Sequence, residues 1–206
     1  MVRTAAFPGL VLVLCLLAAA PGSAQTPTAD SVLARFARID GLTLHFHEVR
    51  QIALLSSPIV SDGAIAYARP GRLARRGGSQ VVLIDGSTLR MSDGGREERI
   101  DLASQPIVRS FVDAFLQFLA GDRPGLARSH TLSFALDGDG WTLTLRPRSA
   151  PLTEFLRDVV FRGSGDDLLS MTMTEVSGDV TTTTFSDVDD HHQFTAAEAA
   201  RTFALP

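Results

Sequence analysis

The chain of 206 residues contains no lysine, so all 19 of its basic residues are arginine. This uniformity reads as a composition bias of the encoding genome, although arginine is also the better bidentate donor where one is needed. Set against 23 acids it leaves a net charge of −4, and no basic run extends beyond Arg75-Arg76. A nucleic-acid partner is therefore excluded on electrostatic grounds. Cysteine is nearly absent too: Cys15 stands alone, inside the apolar run of residues 10–20 that follows Arg3 and precedes Pro21-Gly22-Ser23-Ala24-Gln25. That is the pattern of a secretory signal peptide, with Gly22 and Ala24 as the small residues that cleavage before Gln25 requires. The run is too short to serve comfortably as a membrane-spanning helix, and Leu14 before the cysteine excludes a lipoprotein signal. Residues 1–24 are expected to be removed, leaving residues 25–206 as one exported domain. With no disulfide available, a hydrophobic core must hold it. The apolar share of 45% is ample for that and rules out disorder.

Hydrophobic spacing divides the rest of the chain. Residues 29–39 place Val32, Leu33, Phe36, Ala37 and Ile39 at helical intervals, with Asp30 or Ser31 as a cap. From Leu42 the period changes to two, and strand-like runs follow over 42–47, 60–67, 72–76, 80–84, 88–91 and 97–102, separated by Gly-containing turns. A second helix over 107–120 carries an apolar arc wider than one sheet-facing stripe needs. Strands return over 131–136, 141–146, 152–161, 168–175 and 179–188, and 196–201 forms a last helical turn. This order is not one of alternating β/α units. The expected fold class is mainly β with helices (α+β), an antiparallel sheet of ten or eleven strands curled around its helices.

Chemistry-bearing motifs are scarce. No nucleophile elbow, Walker loop or dinucleotide fingerprint occurs, and the paired acids sit in turns, where aspartate bonds its own backbone. His45-x-His47 and the acidic, histidine-containing stretch 187–192 could supply metal ligands, yet two further ligands at defined spacing are missing. Their plainer reading is the solvent face of a strand and a polar loop; His130 reads as a surface residue. No catalytic residue, cofactor or metal is expected. Phenylalanine dominates the aromatics, 12 against one Trp and one Tyr, with Phe36, Phe111, Phe115 and Phe118 on the two helices. Either a packed core or an apolar cavity accounts for them.

The ordered series of motifs resembles a known family. Phe46-x-Glu48, Ser57-Pro58-x-x-Ser61-x-Gly63, and Tyr67-x-Arg69-Pro70-Gly71-Arg72-Leu73 are followed by Asp85-Gly86-x-x-Leu89 and a hydrophobic helix after Pro106. Trp141-x-Leu143-x-Leu145-x-Pro147 and Asp179-x-Thr181-x-Thr183-x-Phe185-x-x-Val188 complete the series. Together they resemble the LolA-like periplasmic carriers of outer-membrane lipoproteins, as a divergent member. The resemblance implies an incomplete barrel whose helices form a lid over an apolar cavity for acyl chains. It also implies an inner-membrane transporter as donor, an outer-membrane acceptor, a periplasmic location and a monomer. Residues implied at the cavity and lid are Phe36, Phe46, Arg69, Ile107, Phe111, Val112, Phe115, Leu116, Phe118, Leu119 and Trp141.

Arg69 stands at the family's lid-tying arginine, which implies bonds to carbonyls of the helix around residues 111–119. Arg72, Arg75 and Arg76 are expected as a solvated face, with docking to a partner as the alternative. Residues 52–59 resemble a branch associated with lipid or polyene export rather than with lipoproteins, which leaves the cargo open between a lipoprotein and another lipid. The physical need is the same for either cargo: exposing about fifteen methylenes to water costs on the order of 12 kcal/mol. The alternative on the same fold is a lipid-sensing or protein-interaction module of the cell envelope.

Overall fold

The computed structural model describes residues 26–205, so the expected signal peptide and its cleavage point lie outside the described residues. Helix α1 (Ala29–Phe36) leads into six strands, β1 (Gly41–Gln51), β2 (Ile59–Ala68), β3 (Arg72–Gly77), β4 (Gln80–Asp85), β5 (Thr88–Ser92) and β6 (Glu97–Asp101). Helices α2 (Pro106–Leu119) and α3 (Arg123–Ser129) follow, then β7 (His130–Asp137), β8 (Gly140–Pro147), β9 (Leu156–Ser164), β10 (Asp167–Glu175), β11 (Val180–Asp189) and α4 (Ala196–Thr202).

All eleven strands form one antiparallel sheet in the order β6-β5-β4-β3-β2-β1-β11-β10-β9-β8-β7. Two meanders are joined at its centre, where β1 lies between β2 and β11, with Leu42 opposite Tyr67 and Phe46 opposite Phe185. The chain leaves one outer strand, β6, and re-enters at the other, β7, through α2 and α3. A flat sheet of this size would hold its outer strands about 48 Å apart. Helix α2 spans only about 21 Å. Packing shows that the sheet curls: Ile100 on β6 and Leu132 and Phe134 on β7 all pack on one cluster, which includes Phe36, Phe118 and Leu119 from the helices. The fold is an open half-barrel of mixed α+β class with α1 and α2 against its inner face.

The local boundaries have local causes. Helix α1 begins with a reciprocal cap between Thr28 and Ser31 and ends at Phe36 rather than at residue 39, because the next turns tighten: the amides of Arg38 and Ile39 donate to the carbonyls of Arg35 and Phe36. Strand β9 begins at Leu156 rather than at 152, since Leu152–Glu154 forms a 3-10 turn that buries Leu152. Helix α3 was not expected as an element. Its start is carried by Asp122, whose side chain accepts from the Gly125 amide, and by Pro124 in the first turn. Gly121, at φ 64°, lets the end of α2 approach α1 so closely that a Cβ there would overlap the Leu33 carbonyl and Ala37.

On the outer face, Phe194, Phe203 and Leu205 cover Ala66, Ala74, Val81 and Leu83. Arg76 donates to the carbonyls of Thr202 and Ala204, at 2.9 and 2.6 Å, and the Arg72 guanidinium lies 4.4 Å from the centre of the Phe203 ring. Arg75 points to the inner face instead. The expected solvated arginine face does not exist, because alternation along β3 sends its arginines to opposite sides and each finds a partner.

Candidate functional site

The inner face is apolar because period-two alternation on each strand turns its hydrophobic side inward. Leu42, Leu44 and Phe46 do so on β1, Ile65 and Tyr67 on β2, and Trp141, Leu143 and Leu145 on β8. Three rings from three elements meet at its centre. Phe36 of α1 lies 4.7 Å from Phe118 of α2, which stacks on Phe161 of β9 with centroids 3.7 Å apart and an interplanar angle of 4°. Trp141, only 2% exposed, closes one end of the layer, and its indole N–H donates to the Gly165 carbonyl at 3.0 Å.

Helix α2 is divided along its length. Ala114, Phe118 and Leu119 are buried, with Phe118 wholly inaccessible. Ile107, Phe111, Val112, Phe115 and Leu116 are half-buried, and all of these except Ile107 pack on the central cluster. The wide apolar arc seen in the sequence thus has one stripe fixed in the core and another partly in water. With Phe111, Val112, Phe115 and Leu116 packed on the central cluster, the inner face beneath α2 is covered by protein in this conformation.

Arg69, at the end of β2, makes a different contact from the one the resemblance implied. Its guanidinium donates to the carbonyls of Ile39, Phe36 and Ala37, at 3.1, 3.3 and 2.8 Å. These are carbonyls of the last residue of α1 and of the turn that follows it, not those of α2. Register explains the correction: Gly41 pairs with Ala68, and the Arg69 amide donates to the Asp40 carbonyl, so the start of β1 and the preceding turns of α1 lie beside Arg69.

Polar groups mark two ends of the inner layer. The Arg75 guanidinium lies 4.3 Å from the centre of the buried Phe46 ring and donates to Glu48 at 2.9 Å, while Glu48 also accepts from the Thr183 hydroxyl. Toward the other end of the strands Tyr67, opposite Leu42, is fully buried, and among the described residues its hydroxyl has no partner. Burial pushes that phenol up from its ordinary value, opposed by the Arg69 charge. At this end, away from Glu48, a cleft of 640 Å³ opens between α1 and the turns preceding β8 and β10, lined in part by Ser31, Val32, Arg35, Trp141 and Asp166. Arg35 bridges it, bonded to Asp190 at 2.5 Å and lying 3.5 Å from Asp166. A narrow crevice of 40 Å³ bordered by Phe36, Ile39, Leu42, Leu44 and Leu168 adjoins the same arginine.

Histidines expected at the surface divide. His45 and His47 are exposed on the outer face, bonded to Asp187 at 3.0 Å and to Asp62 at 2.7 Å. Among the described residues no group of three or more His, Cys, Asp or Glu side chains is placed to hold a metal. His130 is buried at 1% exposure where α3 turns into β7, with Nδ1 2.9 Å from the Ser129 hydroxyl and Nε2 unpartnered. The expectation of a surface residue fails because α3, invisible in the spacing, folds over this position.

Solved structures with a similar course include a LolA superfamily protein from Nitrosomonas europaea, at 12% identity and a TM-score of 0.47. The similarity covers 87% of this chain and 98% of that one. A putative outer-membrane lipoprotein-sorting protein domain from Vibrio parahaemolyticus is 11% identical at a TM-score of 0.48, over 84% and 94% of the two chains. No curated protein sequence matches the chain. The model of the family described as outer membrane lipoprotein carrier protein LolA-like matches residues 19–205. The chain belongs to that LolA-like family.

Proposed function

We propose that the protein is a periplasmic, non-enzymatic carrier that takes the acyl chains of a lipoprotein or another lipid between its helices and the sheet and moves them from inner to outer membrane. The observation that carries this reading is the half-buried stripe of α2. Phe111, Val112, Phe115 and Leu116 keep apolar surface in contact with both the core and water. A helix committed only to a core would bury that stripe or replace it with polar residues. Displacing α1 and the first turns of α2 exchanges contacts with Phe36, Phe111 and Phe115 for contacts with methylenes, so the net cost of loading and of release stays small.

In this account Arg69 holds α1 closed through bonds that water can replace, and Phe46 and Trp141 bound the chain-binding layer at its two ends. An inner-membrane transporter is the donor and an outer-membrane protein the acceptor, with the carrier acting as a monomer. The test is solvent extraction of the purified protein followed by lipid mass spectrometry. Acylated lipid in stoichiometric amount is expected from the native protein and a reduced amount from Phe115→Asp, with the sheet still folded. Recovery of no hydrophobic ligand would remove the reading.

A further inference from the structure

The end of the half-barrel away from Trp141 carries an apolar surface that the carrier reading does not use. Between β1 and β2, residues 51–61 contain no charged side chain. Leu54 is 94% exposed and Leu55 52% exposed at the tip of this loop; at its base Ile59 and Val60 are 50% and 52% exposed. Val176, 57% exposed, adds to the surface from the β10–β11 turn, which is tied to the loop by the Ala53 amide donating to Asp179 at 3.0 Å. Phe155 borders it through its carbonyl, which accepts from the Val176 amide. Monomeric soluble proteins seldom gather so much exposed apolar surface without a use for it.

Three features select the occupant. Ile59 and Val60 are consecutive in β2 and so point to opposite faces, yet both are exposed. A protein groove would cover one face of the hairpin, whereas hydrocarbon surrounds both. Two arginines at the base are already paired within the chain, Arg50 lying 3.5 Å from Glu175 and 3.7 Å from Asp179 and Arg157 3.5 Å from Asp158, and the loop itself carries no charge. The charge complementarity is therefore with an uncharged medium. The loop is also preformed, since the Leu55 amide donates to the Ile52 carbonyl at 2.9 Å and the Ala53 amide is satisfied by Asp179. Two donors that would resist entry into an apolar phase are thereby silenced.

We infer that the β1–β2 loop is a bilayer-contact element, with Leu54 and Leu55 entering the outer part of the hydrocarbon and Ser56, Ser57 and Gln51 lying at headgroup level. Val176 flanks the insertion, and Phe155, next to the exposed Glu154, stays at its rim. The inference stands on the exposed tip and does not depend on what the inner layer carries.

Flotation of the purified protein with vesicles of phosphatidylethanolamine and phosphatidylglycerol tests it. The native protein floats with the vesicles, and raising the salt does not release it, because the contact is apolar. The double substitution Leu54→Asp and Leu55→Asp lowers the bound-to-free ratio about tenfold or more, with unchanged circular dichroism, since neither side chain supports the core. Leu54→Trp raises binding and is quenched by brominated acyl chains, while buried Trp141 at the far end is not. Absence of flotation, release by salt, or equal binding of the double variant would each overturn the inference. So would concentration-dependent self-association that the double variant abolishes without any vesicle binding, which would assign the tip to a second copy of the chain.

Discussion

Phe118 and Phe161 stack face to face with their centroids 3.7 Å apart, and through this contact α2 is fixed to β9. Because Phe118 is wholly inaccessible, Phe118→Ala removes a full aromatic side chain and leaves a void that neither the helix nor the strand can fill. The expected loss is about 3–5 kcal/mol of unfolding free energy. Urea titration followed by far-ultraviolet circular dichroism measures it. A loss below about 1 kcal/mol would mean that the site collapses freely and that α2 is not anchored at its second half.

Removing the Arg69 side chain frees the terminal carbonyls of α1. Arg69→Ala is expected to cost about 1–2 kcal/mol, and to raise amide exchange over Ala29–Phe36 more than over Pro106–Leu119. Arg69→Lys keeps the charge but not the planar fork and should restore only part of the protection. Equal deprotection of both helices would show that the arginine holds the helices as a unit.

Gly163 lies beneath the Trp141 indole, and a Cβ there would overlap the ring and the Asp167 carbonyl. Gly163→Ala must therefore move the ring or bend β9, at a cost of about 1–3 kcal/mol. Since Trp141 is the chain's only tryptophan, its emission should shift to longer wavelength as water reaches it. An unshifted spectrum with unchanged stability would contradict the packing described for this end.

Two histidines should give opposite pH dependences. Burial lowers the His130 value below the ordinary 6.5, so the unfolded chain takes up a proton there before the folded one does. Its stabilising effect is present above 6.5 and is lost as pH falls through that value toward the folded one. His192 is raised instead, first by its bond to Glu198 at 2.8 Å and then by Asp189 at 3.1 Å. Its contribution is present below 6.5 and is lost as pH rises through the folded value. His192→Gln should flatten the alkaline side of the stability profile, and His130→Gln the acid side, in thermal unfolding across pH. Identical profiles for both variants would refute the assignment.

Every strand run, α1 and α2 were legible in the spacing, because each depends on its own period and on the turn residues beside it. Features set by distant partners were not. The direction of Arg69 follows from the register of β1 against β2, and the burial of His130 from the position of α3, whose short Gly-containing sequence has no clear period. The outer cover formed by Phe194, Phe203 and Leu205 was visible only as a final helical turn, since nothing local tells which face of β3 it will meet. For the inner layer the resemblance named Phe36 and Phe118 but missed Phe161, on which Phe118 stacks, since only the fold brings β9 against α2; Phe46 belongs to a separate end beside Arg75.

The central claim is that the layer between α2 and the sheet exchanges protein side chains for acyl chains. Native mass spectrometry of the protein mixed with a synthetic triacylated lipopeptide tests it most directly. The account predicts a one-to-one complex with the native protein, lost in Phe115→Asp and retained in Leu54→Asp. No complex with the native protein, or an undiminished complex in Phe115→Asp, would contradict it.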